Sequence, residues 1–277
     1  MLILPIEIWQ LILGLVPLPS QLSLISINRL LHQRLKIIDF YHIDKRYKTR
    51  LTDQILKRYR DLKYLHILED NTNITDEGIK HLMLHTLRAR GECSNITDKG
   101  IKHMNLHKLD AHYNESITDE GIKHMNLKIL NASSNWKITN KGIKNMQLES
   151  LNASHGEITD EGIKDMNLKI LKIGGHTHIT DQGIKHLHLE ALDVSFNNII
   201  TDEGIKHMNL KYLNASGYNC RITDEGIKHM DLKTLIVSIN PKITDEGIKN
   251  MQLLKLRASG SGTQITNEGM VVKPPNT

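Results

Sequence analysis

Sixteen histidines in 277 residues are the first groups here that could do chemistry, because imidazole ligates metals and moves protons near neutral pH. Six of them (His81, His103, His124, His186, His207 and His229) sit directly after a lysine, at one phase of a phrase about 21 residues long. Duplication explains that order. A zinc site needs three or four ligands converging on one point, with carboxylates or carbonyls behind the imidazoles, whereas one histidine per repeat makes a row. His176-Thr177-His178 and His186-Leu187-His188 are short clusters of the same origin. The Asp-Glu pairs that could serve as acid and base also recur with the phrase instead of forming one singular site. No glycine-rich phosphate loop, nucleophile elbow or HExxH motif is present. The expectation is a chain with no catalytic residues, no metal and no cofactor.

The elements that would position any site come from the phrase itself, Ile-Thr-Asp-Glu-Gly-Ile-Lys-His-Met-Asn-Leu-Lys-x-Leu-x-Ala-Ser. Its leading isoleucines are Ile74, Ile96, Ile117, Ile138, Ile158, Ile179, Ile200, Ile222, Ile243 and Ile265. A period of this size means a solenoid. Leu127 to Ser133 alternates over Leu130 and Ala132 as a short strand with one buried face. Thr118 to Met125 reads as a short helix, with Thr118 as N-cap, acids in its first turn and Lys123 and His124 near its end. Spacing predicts exposed pairs four apart, Asp76 with Lys80, Asp119 with Lys123 and Asp202 with Lys206, each worth about 0.3 kcal/mol. The fifth-position glycine, among them Gly100, Gly121 and Gly204, costs about 1 kcal/mol against alanine inside a helix. Its return in every copy predicts either positive φ or close approach of the next coil. One coil's inward set, Ile117, Ile122, Met125, Leu127, Leu130 and Ala132, is too small to offset the entropy of ordering it. Coils must therefore stack, pairing their strands in parallel along a wall about 45 Å long.

Composition narrows the setting. Net charge is +5, and the basic excess concentrates between Lys45 and Lys63, read as a solvated helical connector. Cys93 and Cys220 lie far apart in sequence, which argues against a disulfide. The apolar opening MLILPIEIWQLILGLVPLPS lacks basic residues before Arg29 and is broken by Glu7, Pro5 and Pro17, unlike a signal or a membrane span. An intracellular, cytoplasmic setting with no membrane partner follows as the expectation, and the Asn-x-Ser/Thr triplets are by-products of the repeat.

The phrase resembles the leucine-rich repeat, LxxLxLxxN, with Leu127, Leu130, Ala132 and Asn135 in the four slots. Its Ile-Thr-Asp-x-Gly-Ile segment is similar to the cysteine-containing class of these repeats, though the cysteine is missing and the units are short. Asparagine fills the ninth slot at Asn114, Asn135, Asn197 and Asn240, but Glu92, Gly156, His176, Tyr218 and Ser261 break the series. At the other end, Leu4-Pro5-Ile6-Glu7-Ile8 followed by Ile12-Leu13, and then Leu22 and Ile25, resembles the opening helices of an F-box. The fold implied is an α/β horseshoe with a parallel sheet on its concave face and short helices on its convex face. The layout would be an F-box-like module (1–45), a basic connector (46–61), repeats (62–270) and a minimally capped tail (271–277).

That resemblance implies a non-enzymatic substrate receptor of a cullin–RING ubiquitin ligase. Leu4, Pro5, Ile8, Ile12, Leu13, Leu22 and Ile25 would dock on the adaptor subunit. The alternative is a ligase-independent scaffold whose N-terminus only seals the first coil. Partner contact falls to the outward strand residues, which vary between copies: Tyr64, His66, Arg88, Arg90, Lys108, Asp110, His112, Asn131, Asn152, Lys172, Asp193, Tyr212, Asn214 and Arg257. The expected partner is a protein rather than nucleic acid, and the chain itself a monomer.

Overall fold

A computed structural model describes residues 37–266, which divide at Met125/Asn126 into two compact units. The F-box-like motif, including Leu4, Pro5, Ile8, Ile12, Leu13, Leu22 and Ile25, lies outside the described residues, as does the tail from 267 onward.

In the first unit four strands run parallel in chain order: β1 (Asp39–Phe40), β2 (Tyr64–Ile67), β3 (Thr86–Ala89) and β4 (Lys108–Asp110). Register is set by the buried leucines, with Leu65 opposite Leu87 and Leu87 opposite Leu109. Along β2 burial alternates residue by residue, so Leu65 and Ile67 enter the core while Tyr64 and His66 face outward. The ladder thus begins at Asp39, one strand ahead of the first repeat expected at Leu62, and Ile37, Phe40 and Ile43 are buried with it. In the second unit seven parallel strands follow: β5 (Ile129–Asn131), β6 (Ser150–Asn152), β7 (Ile170–Lys172), β8 (Ala191–Asp193), β9 (Tyr212–Asn214), β10 (Thr234–Ile236) and β11 (Lys255–Arg257). Each coil returns through a single helical turn of four residues, such as Asp76–Ile79 or Asp202–Ile205.

The core is the repeated set foreseen from the phrase. Ile117, Ile122, Met125, Leu127, Leu130 and Ala132 are all buried, as are their counterparts Ile200, Ile205, Met208, Leu210, Leu213 and Ala215. A turn so short is worth little by itself and is held by tertiary contact. That contact is polar and passes from coil to coil. Asp181 accepts hydrogen bonds from the Thr201 amide (2.9 Å) and the Thr201 hydroxyl (2.6 Å), and the same Thr201 oxygen accepts from the Glu203 amide (3.2 Å). One threonine therefore caps its own helix and ties it to the preceding coil. The pattern recurs between Asp53 and Thr75, Asp76 and Thr97, Asp98 and Thr118, Asp160 and Thr180, Asp202 and Thr223, and Asp224 and Thr244.

This ladder explains the glycines. A Cβ on Gly204 would stand 2.4 Å from Asp181 Oδ1, and one on Gly100 would stand 2.3 Å from Asp76 Oδ1. Close approach of a neighbouring coil, not positive φ, is the reason for glycine there. It also corrects the expected charge pairing. Asp76 and Asp202 are committed to the next coil's threonine, so Lys80 and Lys206 pair instead with Glu77 and Glu203, three residues away at 2.5 Å. These pairs are more than two fifths exposed and add little.

One step departs from the pattern. Asn140 takes the aspartate's place, accepting from the Thr159 amide at 3.0 Å while its Nδ2 donates to the Thr159 hydroxyl oxygen at 2.8 Å. The Thr159 oxygen is then occupied from the wrong side, and it makes no cap bond to its own helix.

Candidate functional site: the outward strand faces

Strand geometry sorts the expected contact residues into rows. In the first unit, His66 stands opposite Arg88 and Arg88 opposite Asp110, while Tyr64 is opposite Thr86 and Thr86 opposite Lys108. Arg90 and His112 follow two positions further on, on the same side of the sheet. These side chains form a connected group. Arg90 Nε donates to Asp110 Oδ2 at 2.6 Å, and Arg88 Nε lies 3.6 Å from the same oxygen. The Asp110 side chain is 10% exposed and each arginine side chain 27%, so the group is half-buried.

Two members were missed from sequence because they precede the repeats. Lys48, nearly buried at 8% exposure, donates from Nζ to the Tyr41 carbonyl (2.6 Å) and lies 2.7 Å from His66 Nδ1. Burial lowers the Lys48 pKa, with nearby Arg88 adding to the effect and Asp39 opposing it. His66 is pushed down to about 4 by burial and then by Arg88, Lys48 and Arg90. Since ammonium can only donate, Nδ1 is the acceptor and Nε2 carries the proton of the neutral ring. The Tyr41 ring lies 5.5 Å from the His66 ring, with Lys48 and Lys108 ammoniums 5.9 and 5.7 Å from its centroid. The basic connector, expected to be solvated, thus sends Lys48 into the strand face.

In the second unit the rows differ. Asn131, Asn152, Lys172, Asp193 and Asn214 stand in register, followed by Ile236 and Arg257. Several of these residues also shape the chain. Oδ1 of Asn131, Asn152, Asp193 and Asn214 accepts the backbone amide two residues on, at Ser133, Ser154, Ser195 and Ser216, which turns each strand out of the sheet. Asn214 Nδ2 also donates to Asp193 Oδ2 at 3.2 Å. The parallel row, absent from the expected contacts apart from Tyr212, reads Ile129, Ser150, Ile170, Ala191, Tyr212, Thr234 and Lys255. Ile170 is 39% exposed. A partly apolar row thus lies beside a polar one.

Among the described residues no three His, Cys, Asp or Glu side chains gather as metal ligands. The repeated histidines lie outside these faces. His103 Nε2 is 3.3 Å from the Leu82 carbonyl and His186 Nε2 is 2.9 Å from the Lys164 carbonyl, each reaching the preceding coil. Cys93 is exposed, Cys220 buried, and both are free thiols. No helix among the described residues is long and apolar enough to cross a membrane.

The class this architecture defines also emerges from comparison with known proteins. The Leucine Rich repeat family model matches residues 144–166 and 185–208, so the chain carries leucine-rich repeats. Among solved structures it is similar to a chain of the yeast Rad7 and Elc1 complex, with a TM-score of 0.58 at 17% identity, covering 85% of this chain and 70% of that one. That likeness establishes the fold alone. No curated protein matches the chain.

Proposed function

We propose that this chain is a non-enzymatic interaction protein whose outward strand rows hold a target protein. We further infer that residues 1–45 carry it to the adaptor of a cullin–RING ubiquitin ligase. The observation that carries the first part is a contrast between two sides of the same coils. The Asp, Thr and Gly positions between helices are reused almost unchanged, whereas the strand rows run from His66, Arg88 and Asp110 to Asn152, Lys172 and Asp193. Varied side chains on a rigid repeated frame are what a partner-specific surface needs. The ligase role rests on the Leu4-Pro5-x-Glu7 motif, and a similar fold crystallised in a two-protein complex, Rad7 with Elc1, is in keeping with it. Binding of the purified adaptor subunit to the full chain tests it. Binding lost on Ile8→Asp is expected; no binding, or binding unchanged by Ile8→Asp, removes the ligase role.

One observation favours the second reading, a scaffold whose N-terminus seals the solenoid. Asp39–Phe40 already pairs with β2, and Phe40 is buried against Tyr59 with ring centroids 4.9 Å apart. Sealing by residues 37–45 leaves 1–36 as the part available to an adaptor. Deleting 1–36 should then leave the melting transition in place if that part is a separate module, and should cause aggregation if it too covers core.

A further inference from the structure

The strand face of the first unit is unbalanced in a particular way. Lys48, Arg88, Arg90 and Lys108 converge around His66 and Tyr41, and among the described residues buried Asp110 is the carboxylate that reaches two of them. The other nearby acids are committed or distant. Asp39 accepts from the Tyr41 and His42 amides and pairs with His42 Nδ1 at 2.6 Å, while Glu69 is 59% exposed and 4.0 Å from Arg90. Asp110 gives its short bond to Arg90, and the buried Nε of Arg88 makes no hydrogen bond among the described residues. Among the described residues Lys48 meets only neutral acceptors, a carbonyl and an imidazole. Cations outnumber carboxylates on this face, and a guanidinium fork matches the two oxygens of a carboxylate or phosphate. Half-burial makes such a pairing stronger than at a fully exposed site.

We propose that this face of residues 37–125 receives an acidic segment of a partner protein, seating a carboxylate or phosphate group on Arg88 with Lys48, Arg90 and Lys108 around it. The proposal deepens the interaction reading above and rests on it. The ligand is a peptide rather than nucleic acid because the cations form one compact cluster, whereas successive phosphates require a basic track with aromatic platforms for bases. In the second unit the corresponding row carries scattered charges among amides, Asn131, Asn152, Lys172, Asp193 and Asn214.

The test is fluorescence anisotropy on the full chain at low salt with four labelled probes: hexaglutamate, a glycine–serine peptide bearing one phosphoserine, hexaglutamine and a uridine hexanucleotide. Hexaglutamate or the phosphoserine peptide should bind, the stronger of the two identifying the oxyanion, and binding should weaken about tenfold on Arg88→Gln, roughly one charge-assisted contact. Lys172→Gln, on the other unit's face, should change it less than about twofold, and added salt should weaken it. Because Arg88 lacks a full partner, Arg88→Gln should keep the wild-type melting temperature; if it does not, Lys108→Gln serves in its place. Equal binding of hexaglutamine, indifference to Arg88→Gln and Lys108→Gln, or tighter binding of the oligonucleotide would overturn the proposal. If acidic probes fail while Tyr212→Asp still releases a target identified from the native host, the interaction reading stands and only the acidic preference falls.

Discussion

Replacing Gly204 with alanine tests whether the inter-coil ladder sets the spacing of the solenoid. The new Cβ would stand 2.4 Å from Oδ1 and 3.0 Å from Cγ of Asp181. The carboxylate would have to swing away from the Thr201 amide at 2.9 Å and the Thr201 hydroxyl at 2.6 Å. Hydrogen bonds to a charged group are worth about 1.5–3 kcal/mol each, and this half-buried site belongs at the low end, so the loss is about 3 kcal/mol. Alanine returns about 1 kcal/mol of helix propensity. The expected cost is therefore about 2 kcal/mol, read as a lower urea midpoint by far-UV circular dichroism at unchanged slope. The decisive measurement is the same substitution in an Asp181→Ala background. There the residue 181 Cα remains 3.2 Å away, a few tenths of an ångström too close, and the cost should fall below about 0.5 kcal/mol. Additive effects, with Gly204→Ala equally costly in both backgrounds, would show that the carboxylate is not what excludes a side chain.

Two further outcomes follow from the same contacts. His66 titrates near 4 in the folded chain against its ordinary 6.5, so the unfolded state binds more protons between those values and stability rises with pH across that window. The full shift corresponds to about 3 kcal/mol, and partial exposure halves this; His66→Asn, which keeps an acceptor for Lys48, should flatten the pH dependence of the urea midpoint between pH 4 and 6.5 by about 1–2 kcal/mol relative to wild type. Asn140→Asp should let the Thr159 hydroxyl donate to residue 140 and accept from Glu161, raising stability by about 1 kcal/mol, and an unchanged midpoint would refute that account of the missing cap.

Where sequence and structure agree, the physics is local. Thr118 caps the Glu120 amide at 3.2 Å as its residue type and position imply, and buried leucines such as Leu130 mark the strands by alternation. Recurrence of glycine left positive φ and close approach of the next coil both open, and the structure shows the preceding coil's Asp181, more than twenty positions from Gly204, as the group that approaches. The Asp–Lys pairs failed for the same reason: a spacing of four makes contact possible, and a distant threonine wins the carboxylate. The asparagine series is less broken than slot counting suggested. Asn71, outside the counted slots, is buried and donates to the Lys48 and Leu51 carbonyls, as Asn240 does to Ala215. At two of the interruptions a hydroxyl one or two residues on from the slot accepts instead, Ser94 from the Ile96 amide and Thr177 from the Ile179 amide. Of the strand face, the varying positions were legible, but Tyr41 and Lys48 were not, since nothing in the repeat period points to residues ahead of it.

The two sides of each coil differ in how tightly folding constrains them. Between helices, each aspartate is committed to a threonine and each glycine to the space that aspartate needs, so a change at one position obliges a change at another about one coil away. Such coupled positions resist drift. On the strand rows only the outer atoms are uncommitted: Asn152 holds its turn through Oδ1, yet Lys172 beside it in register is exposed and carries no comparable duty. Substitution there costs little folding energy, because exposed side chains away from caps and core rarely change stability by more than about 0.5 kcal/mol. Copies of one phrase can thus diverge along their strand rows while remaining interchangeable in how they stack. In the first unit that divergence gathers Lys48, Arg88 and Arg90 around His66 and Lys108 over the neighbouring Tyr41 ring.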